Sequence, residues 1–181
     1  MGQVAGDSDT YTDRKGQQPV TSKEEFCNRI RLCERAMYAL ALSIVRNESD
    51  AEDVTAESVY LAYRSLYTLK NDDAFKPWIL RIVRNTAVEL IRKNSRLIPT
   101  EEITDIPSEN STGDVETKLT LRDAVERLKQ PYRTATILYY YENLSVSNIS
   151  HITGTSAVTV KKQLSRARMM LREILKEDFN Q

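Results

Sequence analysis

A chain of 181 residues, 40% hydrophobic and 29% charged, has the size of one ordinary soluble domain or two small ones. No run approaches the roughly 18 unbroken apolar residues of a membrane span, so direct membrane insertion is not expected. Five glycines leave no phosphate-cradling loop, and one His with two Cys argues against a structural zinc site. Neither a metal nor another cofactor is expected.

The 26 basic and 26 acidic residues cancel in sum but are segregated along the chain. From Leu97 to Thr117 stand Glu101, Glu102, Asp105, Glu109, Asp114 and Glu116, with no Lys or Arg. From Asn71 to Arg96 the bases Lys76, Arg81, Arg84, Arg92, Lys93 and Arg96 outnumber the acids, and from Lys161 to Arg172 bases stand without any acid. Two basic patches therefore flank an acidic stretch.

Residues 1–21 are polar, carry no apolar signal-peptide core and read as a disordered tail of a cytoplasmic protein. Ser22 and Glu25 form a capping-box pattern, followed by Phe26, Ile30, Cys33, Met37, Leu40, Ala41 and Ile44 at helical spacing. Cys27 and Cys33, six apart on that helix, cannot pair and are expected as buried, reduced thiols. A second capping box, Ser49 to Glu52, predicts a helix through Leu66, with Asp50, Glu52 and Asp53 in the first turn, where the helix dipole favours anions.

A third helix is predicted from about Ala74 to Ser95, with Trp78, Ile82, Ala87, Leu90 and Ile91 inward. Its residues Arg81, Arg84, Asn85, Val88 and Arg92 follow spacings of three and four, and a polar loop beginning Asn71-Asp72 precedes the aromatics Phe75 and Trp78. Cations beside rings suit single-stranded nucleic acid, where bases stack and phosphates meet charge, although a core position suits Phe75 better and Trp78 equally well. Residues 22–96 thus make a first helical domain. Residues 97–117, with Pro99, Pro107, Gly113 and few apolar side chains, make a flexible acidic linker.

Residues 118–181 form a second helical domain. Leu119, Leu121, Val125 and Leu128 define one helix, and Tyr132 to Glu142 the next, with at least one of Tyr139, Tyr140 and Tyr141 expected to be buried. Ser145 caps a short helix, Gly154 turns the chain, and Ser156 caps a long helix whose stripe is Val160, Leu164, Ala167, Leu171 and Ile174. Short helix, glycine turn and long basic helix is a helix-turn-helix pattern. Lys161, Lys162, Ser165, Arg168 and Met169 point away from the apolar stripe, where cations can meet phosphates and base edges, while Ser156 and Thr159 can donate near the positive end of the helix dipole. The fold class is all-α, two small helical domains in tandem.

With these motifs in place the chain resembles the extracytoplasmic-function (ECF) group of bacterial RNA polymerase sigma factors, over about Glu25 to Arg96 and Lys118 to Leu175. Asp50, Glu52, Asp53, Glu57, Tyr63 and Arg64 are similar to the family's polymerase-docking helix. The residues Asn71, Asp72, Phe75, Trp78, Arg81, Arg84, Asn85 and Arg92 resemble its downstream-element and strand-melting segment. Ser156, Thr159, Lys161, Lys162, Leu164, Ser165, Arg166 and Arg168 resemble its upstream-element recognition helix. The chain departs from the family at Ala56, Leu61, Asn148, Ser150 and Val158. The resemblance implies a non-catalytic specificity subunit, active in stress responses, that binds core RNA polymerase and promoter DNA and assists strand opening without a small-molecule substrate. It also implies a linker that mimics the charge of RNA and an anti-sigma partner, often membrane-anchored. Two rival readings are a free-standing helix-turn-helix regulator and a hydrolase using Asp50, Glu52, Asp53 and Glu57.

Overall fold

The computed structural model describes residues 22–69, 71–97 and 120–179, without the side chains of 72, 96, 97 and 177–179. The expected tail, nearly all of the expected linker and the side chain of Asp72 lie outside the described residues. Within them the chain is built from helices and turns: α1 (Lys23–Val45), α2 (Glu48–Arg64), α3 (Phe75–Leu97), α4 (Leu121–Glu126), α5 (Tyr132–Thr136), α6 (Val146–Thr153) and α7 (Ala157–Phe179).

Local chemistry explains where most of these helices begin and end. The Ser22 hydroxyl accepts from the Glu25 amide at the start of α1, which closes on Arg46 in the left-handed region (φ 58°). That turn hands the next cap to Asn47, whose side chain accepts from the Asp50 amide at 2.9 Å. Ser49 therefore lies inside α2 and does not cap it, because α2 starts two residues earlier than the Ser49–Glu52 pattern predicts. Two 3-10 turns, Leu66–Thr68 and Asp72–Ala74, join α2 to α3. Ser145 accepts from the Asn148 amide to open α6, and Ser156 accepts from the Thr159 amide at 3.1 Å to open α7.

Gly154 ends α6 with φ 69°, a conformation in which a Cβ is strained. No heavy atom lies within 4 Å of the position that Cβ would take, so the cost of a side chain is backbone strain alone. Gly154→Ala is expected to lower unfolding stability by about 1–2 kcal/mol, and Gly154→Asn by less, because Asn tolerates this region. Urea titration of the two variants against the parent protein measures this, and equal midpoints would contradict the turn geometry.

Helices α1, α2 and α3 pack pairwise around Phe26, Met37, Leu40, Val54, Ile79, Leu80 and Val83, all buried. Helices α4 to α7 enclose Val125, Leu128, Leu138, Ile149, Ile152, Val160 and Leu164. The two cores are contiguous, since α6 packs on α3 and α5 on α1. Several apolar residues take places other than those predicted. Ile91 and Leu121 are exposed, and Cys27 is exposed while Cys33 is buried. Burial and, to a smaller degree, Glu142 raise the Cys33 thiol above its ordinary pKa, against the opposing influence of Lys76.

The predicted helix Tyr132 to Glu142 is interrupted: α5 passes into a π-helical turn, Ile137–Tyr141. A π turn advances less per residue than the ~100° of an α-helix, so consecutive side chains share a narrower arc. Leu138 is fully buried while Tyr139, Tyr140 and Tyr141 are 37%, 49% and 52% exposed. The expectation that one of these rings is buried is thus corrected, and the wider turn is the physical reason.

Candidate functional site

Three surfaces gather the residues singled out in the sequence. The first is the N-terminal half of α2, where Glu52, Asp53 and Glu57 are exposed and Asp50 is half-buried. Because α2 begins at Glu48, only Glu48 and Asp50 lie in its first turn, where unpaired amides carry partial positive charge, and the expected first-turn places of Glu52 and Asp53 are corrected to the second turn. Tyr63 lies apart from them, half-buried with its ring 5.6 Å from that of Phe26, so it supports the α1–α2 contact as well as facing outward.

The second surface is built on the first turns of α3. The Asn71 side chain accepts from the Ala74 amide at 2.8 Å and shapes the turn before the helix. Phe75 is only 4% exposed and sits between Phe26 and Trp78, with ring centroids 6.1 and 5.7 Å away and the Arg29 guanidinium 5.6 Å from its centre. It belongs to the core, as its apolar ring suits, and offers no face to a base, which corrects its inclusion among the melting-segment residues. Trp78 is half-buried, and its indole N–H donates to Thr68 Oγ1 at 3.0 Å. The ring is thereby held with one part against Phe75 and another towards solvent.

Further along α3, Arg81, Asn85 and Arg92 are exposed and Arg84 is half-buried. Steps of seven and four residues return to nearly the same side at about 100° per residue, so Trp78, Arg81, Asn85 and Arg92 share one arc. Arg84 donates to Asn85 Oδ1 at 3.2 Å, leaving the Asn85 amide nitrogen to face outward. Asn85 also lines a depression of about 500 Å³ with Leu61, Arg64, Tyr67, Ile82 and Glu89. Tyr67 and Thr68 were not singled out in the sequence, because a short turn between two helices gives no periodic signal. The Arg64 guanidinium lies 5.5 Å from the Tyr60 ring, so cation and aromatic faces adjoin this depression.

The third surface is α7. Val160, Leu164 and Ala167 are buried as the stripe requires, while Lys161, Lys162, Ser165, Arg166 and Arg168 are all exposed. Ser156 and Thr159, also exposed, bond to each other at 2.9 Å at the helix start. Arg168 donates to the Tyr140 hydroxyl at 3.3 Å, and Tyr139 packs edge-on against Tyr140 with centroids 4.9 Å apart. The exposed tyrosines of the π turn therefore continue the basic face of α7, a neighbour that the sequence alone did not pair with it.

The chemistry of each surface suits the binding of a particular kind of partner. An acidic helix start fits a basic protein face, a Trp–Asn–Arg arc fits unstacked bases and phosphates, and a cationic helix after a glycine turn fits a DNA groove.

Comparison with known proteins places the chain among sigma factors. The family described as Sigma-70 region 2 matches residues 30–97, and Sigma-70 region 4 matches residues 118–171. RNA polymerase sigma factor SigV of Bacillus subtilis (strain 168) is 33% identical over 144 residues, covering 79% of this chain and 87% of the relative. The ECF RNA polymerase sigma factor SigW of the same organism is 25% identical over 179 residues, covering 91% and 93%. Among solved structures, the sigma factor RpoE in complex with the anti-sigma factor NepR, from Bartonella quintana, superposes with a TM-score of 0.67 at 25% identity, covering 84% of this chain and 98% of that one. CnrH in complex with the cytosolic domain of CnrY shares the fold, with a TM-score of 0.62 at 19% identity over 87% of this chain and 91% of that one.

Proposed function

We propose a division of labour among the three surfaces of this chain, which belongs to the ECF group of RNA polymerase sigma factors and recognises promoters in transcription initiation. Residues 22–96 act as the unit that docks on core polymerase through Asp50, Glu52, Asp53 and Glu57 and handles the downstream element. Residues 118–181 act as the unit that reads the upstream element through α7, and 97–117 tether the two. The chain performs no covalent step itself, acts in the cytoplasm in a stress response, and is held in check by an anti-sigma protein of the kind that accompanies RpoE.

The observation that carries this assignment is the order of the surfaces: acidic helix start, aromatic–basic helix and cationic recognition helix follow each other along one chain, each with its polar face outward. A lone helix-turn-helix regulator needs only the last of them. Run-off transcription with core polymerase on a genomic promoter library tests the reading directly. Transcripts that depend on the added chain and start at a limited set of promoters are expected; a pattern identical to that of core polymerase alone would overturn it.

Opening the duplex is assigned to the α3 arc. Trp78→Ala and Asn85→Ala are expected to leave closed-complex formation nearly intact and to reduce permanganate-reactive, unpaired thymines by about tenfold, since loss of base stacking costs about 1–3 kcal/mol per base. Trp78→Phe, which keeps a ring, should lose less. Parallel loss of both steps in Trp78→Ala would place the indole in the core, where truncation costs about 3–5 kcal/mol of stability.

A further inference from the structure

On the outer face of α7 one side chain differs in chemistry from those around it. Val158, in the first turn, is 63% exposed, a branched hydrocarbon among hydroxyls and cations. At about 100° per residue, Val160, Leu164 and Ala167 stand about 200°, 240° and 180° around the axis from it, so Val158 lies opposite the buried stripe. Lys161, Lys162 and Ser165 fall within about 60° of it. Val158 is therefore central on the face that reads the upstream element, at a position where this chain departs from the family, so the resemblance assigns it no role.

The fold itself does not call for a valine there. A β-branched side chain is stiff in a helix and less favourable than Ala, and burial, which usually compensates, is missing at this exposed position. The cap does not involve it either: Ser156 accepts from the Thr159 amide at 3.1 Å, and the two hydroxyls lie 2.9 Å apart.

Duplex DNA supplies a partner of matching chemistry. The major groove admits an α-helix, and a helix-turn-helix presents the first residues of its second helix to base edges. The groups that base pairs display in that groove are hydrogen-bond donors and acceptors, with one apolar exception, the C5 methyl of thymine. Val158 has neither a donor nor an acceptor to offer, so the methyl is the group it fits, and a cytosine amino group in the same place would lose water without gaining a partner. The neighbours favour DNA over an apolar protein surface, because Lys161 and Lys162 flank Val158 and no acid stands between Lys161 and Arg172. Met169, 66% exposed on the same side of α7, is placed differently. It lies about 16 Å further along the axis and lines a depression with Leu128 and Met170.

We infer that Val158 is a specificity-determining residue of the upstream-element reader, making apolar contact with the C5 methyl of one thymine. The inference rests on the sigma-factor reading and deepens it, since it names what one side chain of that face recognises.

The test uses holoenzyme and promoters selected by run-off transcription. Each thymine of the upstream element, on either strand, is replaced singly by deoxyuridine, which lacks only the C5 methyl. One replacement should weaken binding by the parent about fourfold, the effect of exposing about one buried methyl group. Val158→Ala should bind the unmodified promoter about fourfold less tightly than the parent, and for this variant the same replacement should have no further effect, the non-additivity that marks a contacting pair. The log-log salt slope of Val158→Ala should equal that of the parent, because no cation is removed. Its unfolding midpoint should not fall, because Ala is the better helix former. Val158→Thr, of the same shape with a hydroxyl for one methyl, should keep part of the thymine preference.

A uracil penalty that persists undiminished in Val158→Ala would overturn the inference, as would parent-like binding of every promoter by that variant. An upstream element without any A·T pair would do the same. Equal weakening of all promoters, with uracil tolerated at every position by the parent, would make Val158 a general packing contact instead of a reader. All these outcomes leave run-off by the parent chain intact. Absence of any chain-dependent transcript would overturn the sigma-factor reading, and this inference with it.

Discussion

Reversing Asp50, Glu52 and Asp53 together to Lys is expected to lower affinity for core polymerase by more than tenfold. These acids occupy one turn of α2, whose opposite side packs against α1 and α3, so they present a single negative patch to a partner. Like charges brought together across an interface cost several kcal/mol as an order of magnitude, and each ~1.4 kcal/mol is a factor of ten in binding. The reversal also places a cation at position 50 in the first turn of the helix, which costs about 0.3–1 kcal/mol, so helicity must be measured alongside affinity. Glu57→Lys, one turn further on, separates the two effects, because it leaves the first turn untouched while keeping the charge reversal on the exposed side. A pull-down titration in which the triple variant and Glu57→Lys both bind like the parent would remove α2 from the docking surface. Loss in the triple variant with normal helicity, and a smaller loss in Glu57→Lys, is the expected pattern.

The parts of this architecture that local rules govern were legible in the sequence. Ser22, Ser145 and Ser156 each cap a helix, and Gly154 takes the left-handed turn, because capping and positive φ depend on residues within one turn. The apolar stripe of α7 followed from its 3.6-residue period, and its buried members Val160, Leu164 and Ala167 leave the cations outside. The Ser49–Glu52 pattern assigns the start of α2 to Ser49, yet Asn47 can equally accept from an amide three residues on. The left-handed end of α1 at Arg46 decided in favour of Asn47, and no pattern in the sequence announces that turn.

What remained illegible depends on distant contacts. Phe75 lies next to a polar loop and suits either a core or a stacking role, and Phe26, nearly fifty residues earlier, decides for the core by covering it. The tyrosine triplet looked half-buried because an α-helical advance would turn one ring inward, and a π turn does not. Lys76 looked like one more cation of a basic patch. Its partner Glu142 lies 66 residues away and shares no sequence signal with it. Candidate binding residues on a periodic face could therefore be named from the chain alone, whereas those whose exposure is set by a neighbouring element could not.

The face of α7 carries the second large expected effect. Lys161, Lys162, Ser165 and Arg168 are exposed opposite Val160, Leu164 and Ala167, so single Ala substitutions should change stability by no more than about 0.5 kcal/mol. Their effects on DNA should divide by chemistry. A cation that only neutralises phosphate weakens all promoters alike and flattens the log-log salt dependence by about 0.9 when removed. A side chain that reads a base edge costs about 1–3 kcal/mol and relaxes preference at one position. Lys162 and Ser165, central on the arc, are expected to behave as base readers. Arg168 is held at 3.3 Å by the Tyr140 hydroxyl towards the edge of the face, and is expected to behave as a phosphate contact whose loss lowers the salt slope. Lys161, adjoining the helix start where Ser156 and Thr159 are bonded together, can serve either role, and its salt slope distinguishes them. Binding isotherms of holoenzyme on a set of single-position promoter variants, taken at three salt concentrations, supply both quantities. If all four Ala variants kept the parent affinity, preference and slope, α7 would not be the promoter reader, and residues 118–181 would have to act through protein contacts instead.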